Sequence, residues 1–387
     1  MAEPDVSYLQ KTLAKLVQIN SVNPAFDPAA PGEGAIAQWI AAELERLGCR
    51  VLRREPIPGR VSVAGTLTGS GGGPSLMLYG HIDTVGVEGM ADPWSGTVEA
   101  GRLYGRGAYD MKCGVAACLA ALEALRRTGT RLRGDLVVCG VADEETESLG
   151  MTDLLQIVHT DAAVVTEPTE LAVYVAHKGF CWLEVETFGR AAHGSRFQDG
   201  IDANLRMGRV LAELEGLERK VRTGAPHPVL GPPSLHAAVL RGGTGLSTYA
   251  ASCVLQIERR TLPGETSEMV LAEVQAILDQ LRAADPGFEA RARLLLARPS
   301  LEGSAESAIG RAVIGSARRR LKREPEVSGA AYWMDAALIA EAGIETVVIG
   351  PSGAGAHAAV EWVELESVQA VAAILADVAA EYCGVAE

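Results

Sequence analysis

The sequence predicts an α/β protein: a mostly parallel sheet flanked by helices and interrupted by a smaller α+β domain of ferredoxin-like order. Three observations predict it. Ser75 to Tyr79, Leu136 to Val141, Ala162 to Val165 and Thr346 to Ile349 are near-continuous apolar runs, as strands covered by helices on both faces must be. Segments with apolar residues at helical spacing surround them. Between about residues 179 and 296 the pattern changes: Cys181, Leu183 and Val185 alternate with Trp182, Glu184 and Glu186, and Ala292 and Leu294 with Arg291 and Arg293. One face of that second sheet meets water.

Taken in order, Leu9, Leu13, Leu16 and Val17 mark a first helix, and Ile36, Ile40, Leu44 and Leu47 a second that stops at Gly48, glycine being the usual helix terminator. Gly69 to Pro74 is the turn before the first apolar strand. The middle segment reads as strand 181–188, helix 202–218, strands 234–240 and 252–260, helix 265–283 and strand 288–296, the split βαβ order. Val368 through Tyr382 supplies the closing helix. The expected organisation is a discontinuous domain of residues 1–178 and 297–387 with residues 179–296 inserted as a second.

At 387 residues the chain is long enough for two or three domains. Its 48% hydrophobic and 22% charged residues exclude a disordered chain. Lys and Arg total 35 against 49 Asp and Glu, a net charge of −14 with pI near 5.1, and this excludes nucleic acid as an expected partner. The run Arg318-Arg-Arg320, Lys322 and Arg323 follows Ile309, Val313 and Ile314 and reads as the solvated face of a helix. No signal or transit peptide and no membrane-spanning stretch is visible. Seven scattered cysteines form no C-x-x-C pair, so thiols in a reducing cytoplasm are expected.

The first apolar strand ends in Gly80-His81-Ile82-Asp83, the second in Asp143-Glu144-Glu145 and the third in Glu167; the fourth runs into a glycine-rich loop holding His357. Sites of open α/β sheets collect at such carboxyl ends. Asp110 precedes a further helix. Carboxylates converging on one edge repel each other unless a cation neutralises them. Two imidazoles with three carboxylates suit Zn²⁺, Co²⁺ or Mn²⁺ better than Mg²⁺ or Ca²⁺.

These segments, GHIDTV (80–85), GRGAYDMK (105–112), DEETESLG (143–150), TEP (166–168), AHGS (192–195) and GAHAAVEW (355–362), resemble the M20 family of metallopeptidases, which includes acetylornithine deacetylase, succinyl-diaminopimelate desuccinylase, aminoacylase and carboxypeptidase G2. The resemblance implies a zinc-exopeptidase-like fold with a lid and dimerisation domain. It implies two divalent ions per chain, Zn²⁺ first with Co²⁺ or Mn²⁺ as alternatives. Asp110 would bridge them, His81 and Glu167 completing one ion and Glu145 and His357 the other. Glu144 would be the general base and Asp83 the acceptor of the His81 N–H, fixing its tautomer.

In the inserted domain His193 resembles a lid histidine that crosses the interface of a homodimer to bind the developing oxyanion. Arg260, in Arg-Thr-Leu-Pro-Gly264, resembles the arginine that holds a substrate carboxylate. Ser247, in the stretch Gly242 to Ala250, stands where the family has asparagine, offering a hydroxyl for an amide. Cys113 follows Lys112 where glycine is usual and reads as packing. Gly32-Glu-Gly34-Ala-Ile-Ala37 has dinucleotide-fingerprint letters but no preceding strand. His159, His177, His227 and His236 read as structural or surface residues without carboxylate partners.

The expected activity is a cytoplasmic, metal-dependent amidohydrolase that removes the acyl group from a small N-acyl amino acid. A dipeptidase or carboxypeptidase acting on a short peptide is the alternative within the family. A catalytically silent metal-binding protein is the alternative outside it.

Overall fold

The apolar runs form adjacent strands at the centre of one sheet. In the computed structural model, which describes residues 2–386, Leu76–His81 lies between Leu136–Val141 and Ala162–Val165, and Glu345–Ile349 follows Ala162–Val165; these pairings are all parallel. Antiparallel strands border them: Arg60–Leu67 and then Arg50–Ile57 beyond Leu136–Val141, and Val173–His177 beyond Glu345–Ile349. Every residue of Leu76–His81 and Leu136–Val141 is buried, as the unbroken apolar sequence requires.

The chain divides into two compact units. The first comprises Met1–Val175, Gly303–Gly329 and Met334–Glu387. Its helices include Val6–Gln18, capped by Asp5, whose carboxylate accepts from Tyr8 N and which buries Leu9, Leu13, Leu16 and Val17. Gly34–Arg46 buries Ile36, Ile40 and Leu44. Lys112–Arg127 and Leu365–Cys383 are buried along most of their length. Alanines at 116, 117, 120, 121 and 124 of the former leave its backbone little clothed, so other helices can approach closely. A small sheet joins Gly353–Ala354, Trp362–Glu364, Arg102–Tyr104 and Val98–Glu99 in that order, and its Trp362 to Tyr104 pairing sets the glycine-rich loop beside the segment leading to Asp110.

The second unit comprises Ala176–Glu302 and Ala330–Trp333. It holds an antiparallel sheet in the order Ser234–Gly242, Ser252–Thr261, Gly179–Phe188, Ala290–Arg298. Helices Ala203–Arg222 and Ser267–Ala284 bury Val210, Leu214, Val274 and Leu278 in one core with Leu183, Val185, Leu255 and Ile257. Asp202 and Thr266 cap them. The β-α-β-β-α-β order is the one expected. A charge stands at one inward position: Arg259 is 1% exposed, yet its guanidinium meets Glu265 Oε1 at 2.5 Å and the Arg260 carbonyl at 2.6 Å.

The basic run closes helix Ala308–Leu321, where Arg318 pairs with Glu324, Arg319 with Glu381, and Arg320 with Asp377 and Glu3. Arg318 and Arg319 lie on the exposed face that was expected, whereas Arg320 turns inward to the buried Asp377. All seven cysteines are free and buried. Among the described residues no helix is long and apolar enough to cross a membrane.

Candidate metal centre

His81 is the last residue of its strand, 1% exposed. Its Nε2 lies 3.2 Å from Asp110 Oδ1 and 3.6 Å from Glu167 Oε1. On the other side of the same carboxylate, Asp110 Oδ2 lies 3.2 Å from His357 Nε2, which is also 3.1 Å from Glu145 Oε2. One carboxylate therefore spans two imidazoles, each with its own glutamate. The strand ends account for this. His81 and Val141 are register partners and Val165 pairs with Tyr79, so the segments holding Glu145 and Glu167 leave the sheet beside His81.

Asp83 differs in detail from the sequence expectation. The Asp83 backbone carbonyl, at 3.1 Å, is the nearer partner of His81 Nδ1, and the carboxylate stands at 3.5 Å. That carboxylate is taken up by Glu144 N at 3.1 Å, Glu145 N at 3.3 Å and Asn23 Nδ2 at 3.0 Å. Converging loop donors turn it away from the imidazole. Asp83 thus ties the histidine strand to the loop of the two glutamates.

The electrostatics of the protein atoms alone are those of a cluster short of positive charge. Burial, with Glu167, Asp335 and Glu145 nearby, raises the Glu144 carboxyl well above its ordinary range. Burial, then Asp110 and Glu145, pushes Glu167 up to about 8, and burial and Asp110 raise Glu145. Burial opposes ionisation of Asp110 too, but hydrogen bonds with His357 and His81 hold it well below the usual carboxylate range. Burial would lower His81, yet Glu167, Asp110 and Asp83 hold it well above. Hydrogen bonds to Asp110 and Glu145 lift His357 to about 10.

The donor set fits divalent metal. His81, Glu144 and Glu167, and separately His81, Asp110 and Glu145, bring ligand atoms within 4.8 Å of one another. Glu167 Oε1 is buried with no hydrogen-bond partner among the described residues, and an acceptor in that position is satisfied by a cation. Glu144, expected as a base, falls within ligand range of His81 and Glu167.

Several contributors carried no signal in the sequence. Arg60, 7% exposed, places Nη1 2.6 Å from Asn23 Oδ1 and Nη2 2.5 Å from Asp143 Oδ1 and 2.8 Å from Glu33 Oε1. Asn23 then bridges Asp143 and Asp83. Tyr79 donates its hydroxyl to Asp335 Oδ2 at 2.6 Å, and burial pushes Asp335 up to about 6. Arg60, Asn23, Glu33 and Asp335 are separated along the chain, and none belongs to a motif that points to the centre.

His193, Ser247 and Arg260 belong to the second unit. His193 is exposed, and its Nδ1 meets Ser195 Oγ at 2.8 Å and accepts from Ser195 N at 3.2 Å, leaving Nε2 for an outside partner. Gly194 N donates to Ser247 O and Tyr249 N to Ala192 O, so the His193 and Ser247 loops are zipped together. Arg260 already has a partner, Glu258 Oε1 at 2.6 Å, and lies over the Phe180 ring at 5.4 Å. Two histidines expected to lack acidic neighbours have them: His227 stands 3.7 Å from Glu302 and His236 3.5 Å from Glu258, pairs that strand and turn pairing creates and spacing could not show. Cys113 is fully buried, its thiol directed at the Tyr109 carbonyl.

Known proteins resemble this chain along most of its length. The model of peptidase family M20/M25/M40 matches residues 77–381. An acetylornithine deacetylase of Myxococcus xanthus is 30% identical over 388 residues, covering 97% of this chain and 98% of the relative. An N-formyl-4-amino-5-aminomethyl-2-methylpyrimidine deformylase of Bacillus subtilis is 28% identical over 395 residues, 92% of this chain and 91% of the relative. Among solved structures, a dinuclear metal binding peptidase of the M20 family from Bacillus subtilis superposes with a TM-score of 0.75 at 16% identity, covering 97% of both chains.

Proposed function

The chain belongs to peptidase family M20/M25/M40, and from that premise we propose that this hydrolase removes the acyl group from a small N-acyl amino acid at a two-metal centre. The observation that carries the reading is Asp110, whose two oxygens face two imidazoles at 3.2 Å each. His81 and Glu167 would hold one ion, Glu145 and His357 the other. Such a pair supplies Lewis acidity toward the amide carbonyl and lowers the pKa of water.

The chain's own residues do the rest. Glu144, within ligand range of His81 and Glu167, takes a proton from the attacking water and returns it to the leaving amine. His193, held through Nδ1 by Ser195, presents Nε2 to the carbonyl oxygen as charge develops there. We assign it to the active site of a second copy, in a homodimer joined through the inserted domain. Arg260 receives the substrate's α-carboxylate and Ser247 offers a hydroxyl beside it. The seven free thiols support a cytoplasmic location.

Two relatives whose names denote removal of an acyl group from an amine support deacylation over peptide cleavage. The pairing of Arg260 with Glu258, and a serine at 247, favour a second reading: an N-formyl amine substrate with no carboxylate. Apo-protein reloaded with Zn²⁺, Co²⁺ or Mn²⁺ should be assayed against N-acetyl, N-formyl and N-succinyl amino acids, their amides and dipeptides. Turnover of N-acyl amino acids above all others is expected. Preference for dipeptides, or for N-formyl amines, would replace the deacylase reading.

A further inference from the structure

Two motif residues that the site assignment leaves unused, Arg106 of Gly105-Arg-Gly107 and Glu361 of the GAHAAVEW segment, form a buried ion pair behind the metal centre. They are 2% and 1% exposed. Glu361 Oε2 meets Arg106 Nη1 at 2.5 Å, while Oε1 accepts the backbone N–H of Tyr109 at 2.9 Å and of Asp110 at 3.0 Å. Arg106 directs two further donors at two loops, Nε to the Gly86 carbonyl at 2.9 Å and Nη2 to the Ala358 carbonyl at 3.0 Å.

These contacts converge on the backbones that carry the candidate ligands. Gly86 lies on the segment that continues from His81 and Asp83. Tyr109 and Asp110 are held directly by Glu361. Ala358 follows His357, which sits at φ 60, a left-handed conformation that a histidine seldom keeps without external support. One planar guanidinium with a fixed fork of donors is suited to locking several carbonyls and a carboxylate at set spacings, and a lysine is not.

We infer that Arg106 and Glu361 are a positioning pair that sets the distance between Asp110 and His357, and so the affinity of the ion those two residues share. The inference rests on the two-metal reading. Its rival is a pair that merely holds the fold together. Both roles lower the melting temperature on substitution, but only positioning changes the uptake of one ion relative to the other. Partners behind a metal ligand typically contribute 10- to 100-fold in affinity.

The test is calorimetric titration of chelator-stripped protein with Co²⁺ alone, with visible absorption read in parallel. The wild type should take up two ions per chain. Arg106→Lys keeps the charge but cannot span the Gly86 and Ala358 carbonyls together; Glu361→Gln keeps an acceptor for Tyr109 and Asp110 but sets an amide against Arg106. Each should weaken the ion assigned to Glu145 and His357 by about 10- to 100-fold, weaken the other less because Asp110 is common to both, and shift the Co²⁺ absorption bands of the weakened site. If Arg106→Lys does not fold, the milder Glu361→Gln, checked by circular dichroism, carries the test. Wild-type uptake of both ions by the variants, or equal weakening of both, overturns the inference while leaving the two-metal reading intact. Fewer than two ions in the wild type overturns that reading and the inference with it.

Discussion

Replacing Arg60 with methionine isolates the electrostatics behind the candidate centre without touching a candidate ligand. Arg60 faces Glu33 at 2.8 Å and Asp143 at 2.5 Å, with side chains 0% and 3% exposed. Asp143 keeps other donors when the guanidinium is gone: Asn23 Nδ2 at 3.0 Å, Leu149 N at 3.2 Å and the Thr146 hydroxyl. Glu33 does not, since neither carboxylate oxygen has a hydrogen-bond partner among the described residues. The loss should therefore fall on Glu33, and breaking one side of a buried pair costs about 3–5 kcal/mol. At roughly 2 °C per kcal/mol for a domain of this size, the melting temperature should drop by about 6–10 °C. The sign with pH follows from Glu33, which burial and Asp83 push up to about 8 from an unfolded value of 4.5. A carboxyl raised on folding contributes stability that is complete below its unfolded pKa and is lost as pH rises through the folded one. Arg60 lowers that pKa, so without it the acid holds its proton to higher pH, and between pH 6 and 9 the wild type gains an ion pair that the variant cannot form. The Arg60→Met cost should accordingly grow between those values, and Glu33→Gln in the same chain should remove most of that growth. Urea titration of metal-free protein at both pH values measures it. A cost below about 1 kcal/mol, the worth of an exposed pair, or one that is flat with pH and insensitive to Glu33→Gln, would refute the reasoning.

Glu144→Ala should retain its metal by elemental analysis and lose about 10²- to 10⁴-fold in kcat; loss of an ion instead would make Glu144 a ligand, as its distance from His81 and Glu167 permits. His193→Ala should lower kcat more than it raises KM, and mixing inactive Glu144→Ala and His193→Ala chains should restore activity, because a mixed dimer contains one site with both groups. No recovery after proven subunit exchange would confine His193 to its own chain. Amidating the substrate carboxylate should cut kcat/KM by about 10- to 150-fold, the equivalent of a charge-assisted contact of 1.5–3 kcal/mol, and Arg260→Ala should erase that preference. Equal kcat/KM for acid and amide on the wild type would favour the N-formyl amine reading.

What was legible in the sequence is what covalent neighbourhood fixes. A strand buried on both faces must be apolar throughout, so its end is visible, and the first polar residues past it, His81, Asp143 to Glu145 and Glu167, are bound to emerge on the edge where the parallel strands finish. Helix caps and the alternation of the second sheet are local in the same sense. The groups that were not legible act across long separations. Arg60 opens a strand with no motif around it, and it is buried by Glu33, Asp143 and Asn23. Arg259 occupies an inward position of an amphipathic strand, where only the arrival of Glu265 and Glu273 explains a charge. Arg106 and Glu361 become partners because a three-residue strand pairs Trp362 with Tyr104. A buried ion pair has no period and no preferred spacing; desolvation makes it unfavourable unless both halves arrive together, and that coincidence is a property of topology. The candidate ligands could therefore be read from strand ends, whereas the residues that hold them at the right distances could be identified only once the loops were in place. Partners behind a metal ligand govern how tightly an ion is held and how its ligands are oriented, so the least legible part of the candidate centre is the part where metal affinity would be tuned.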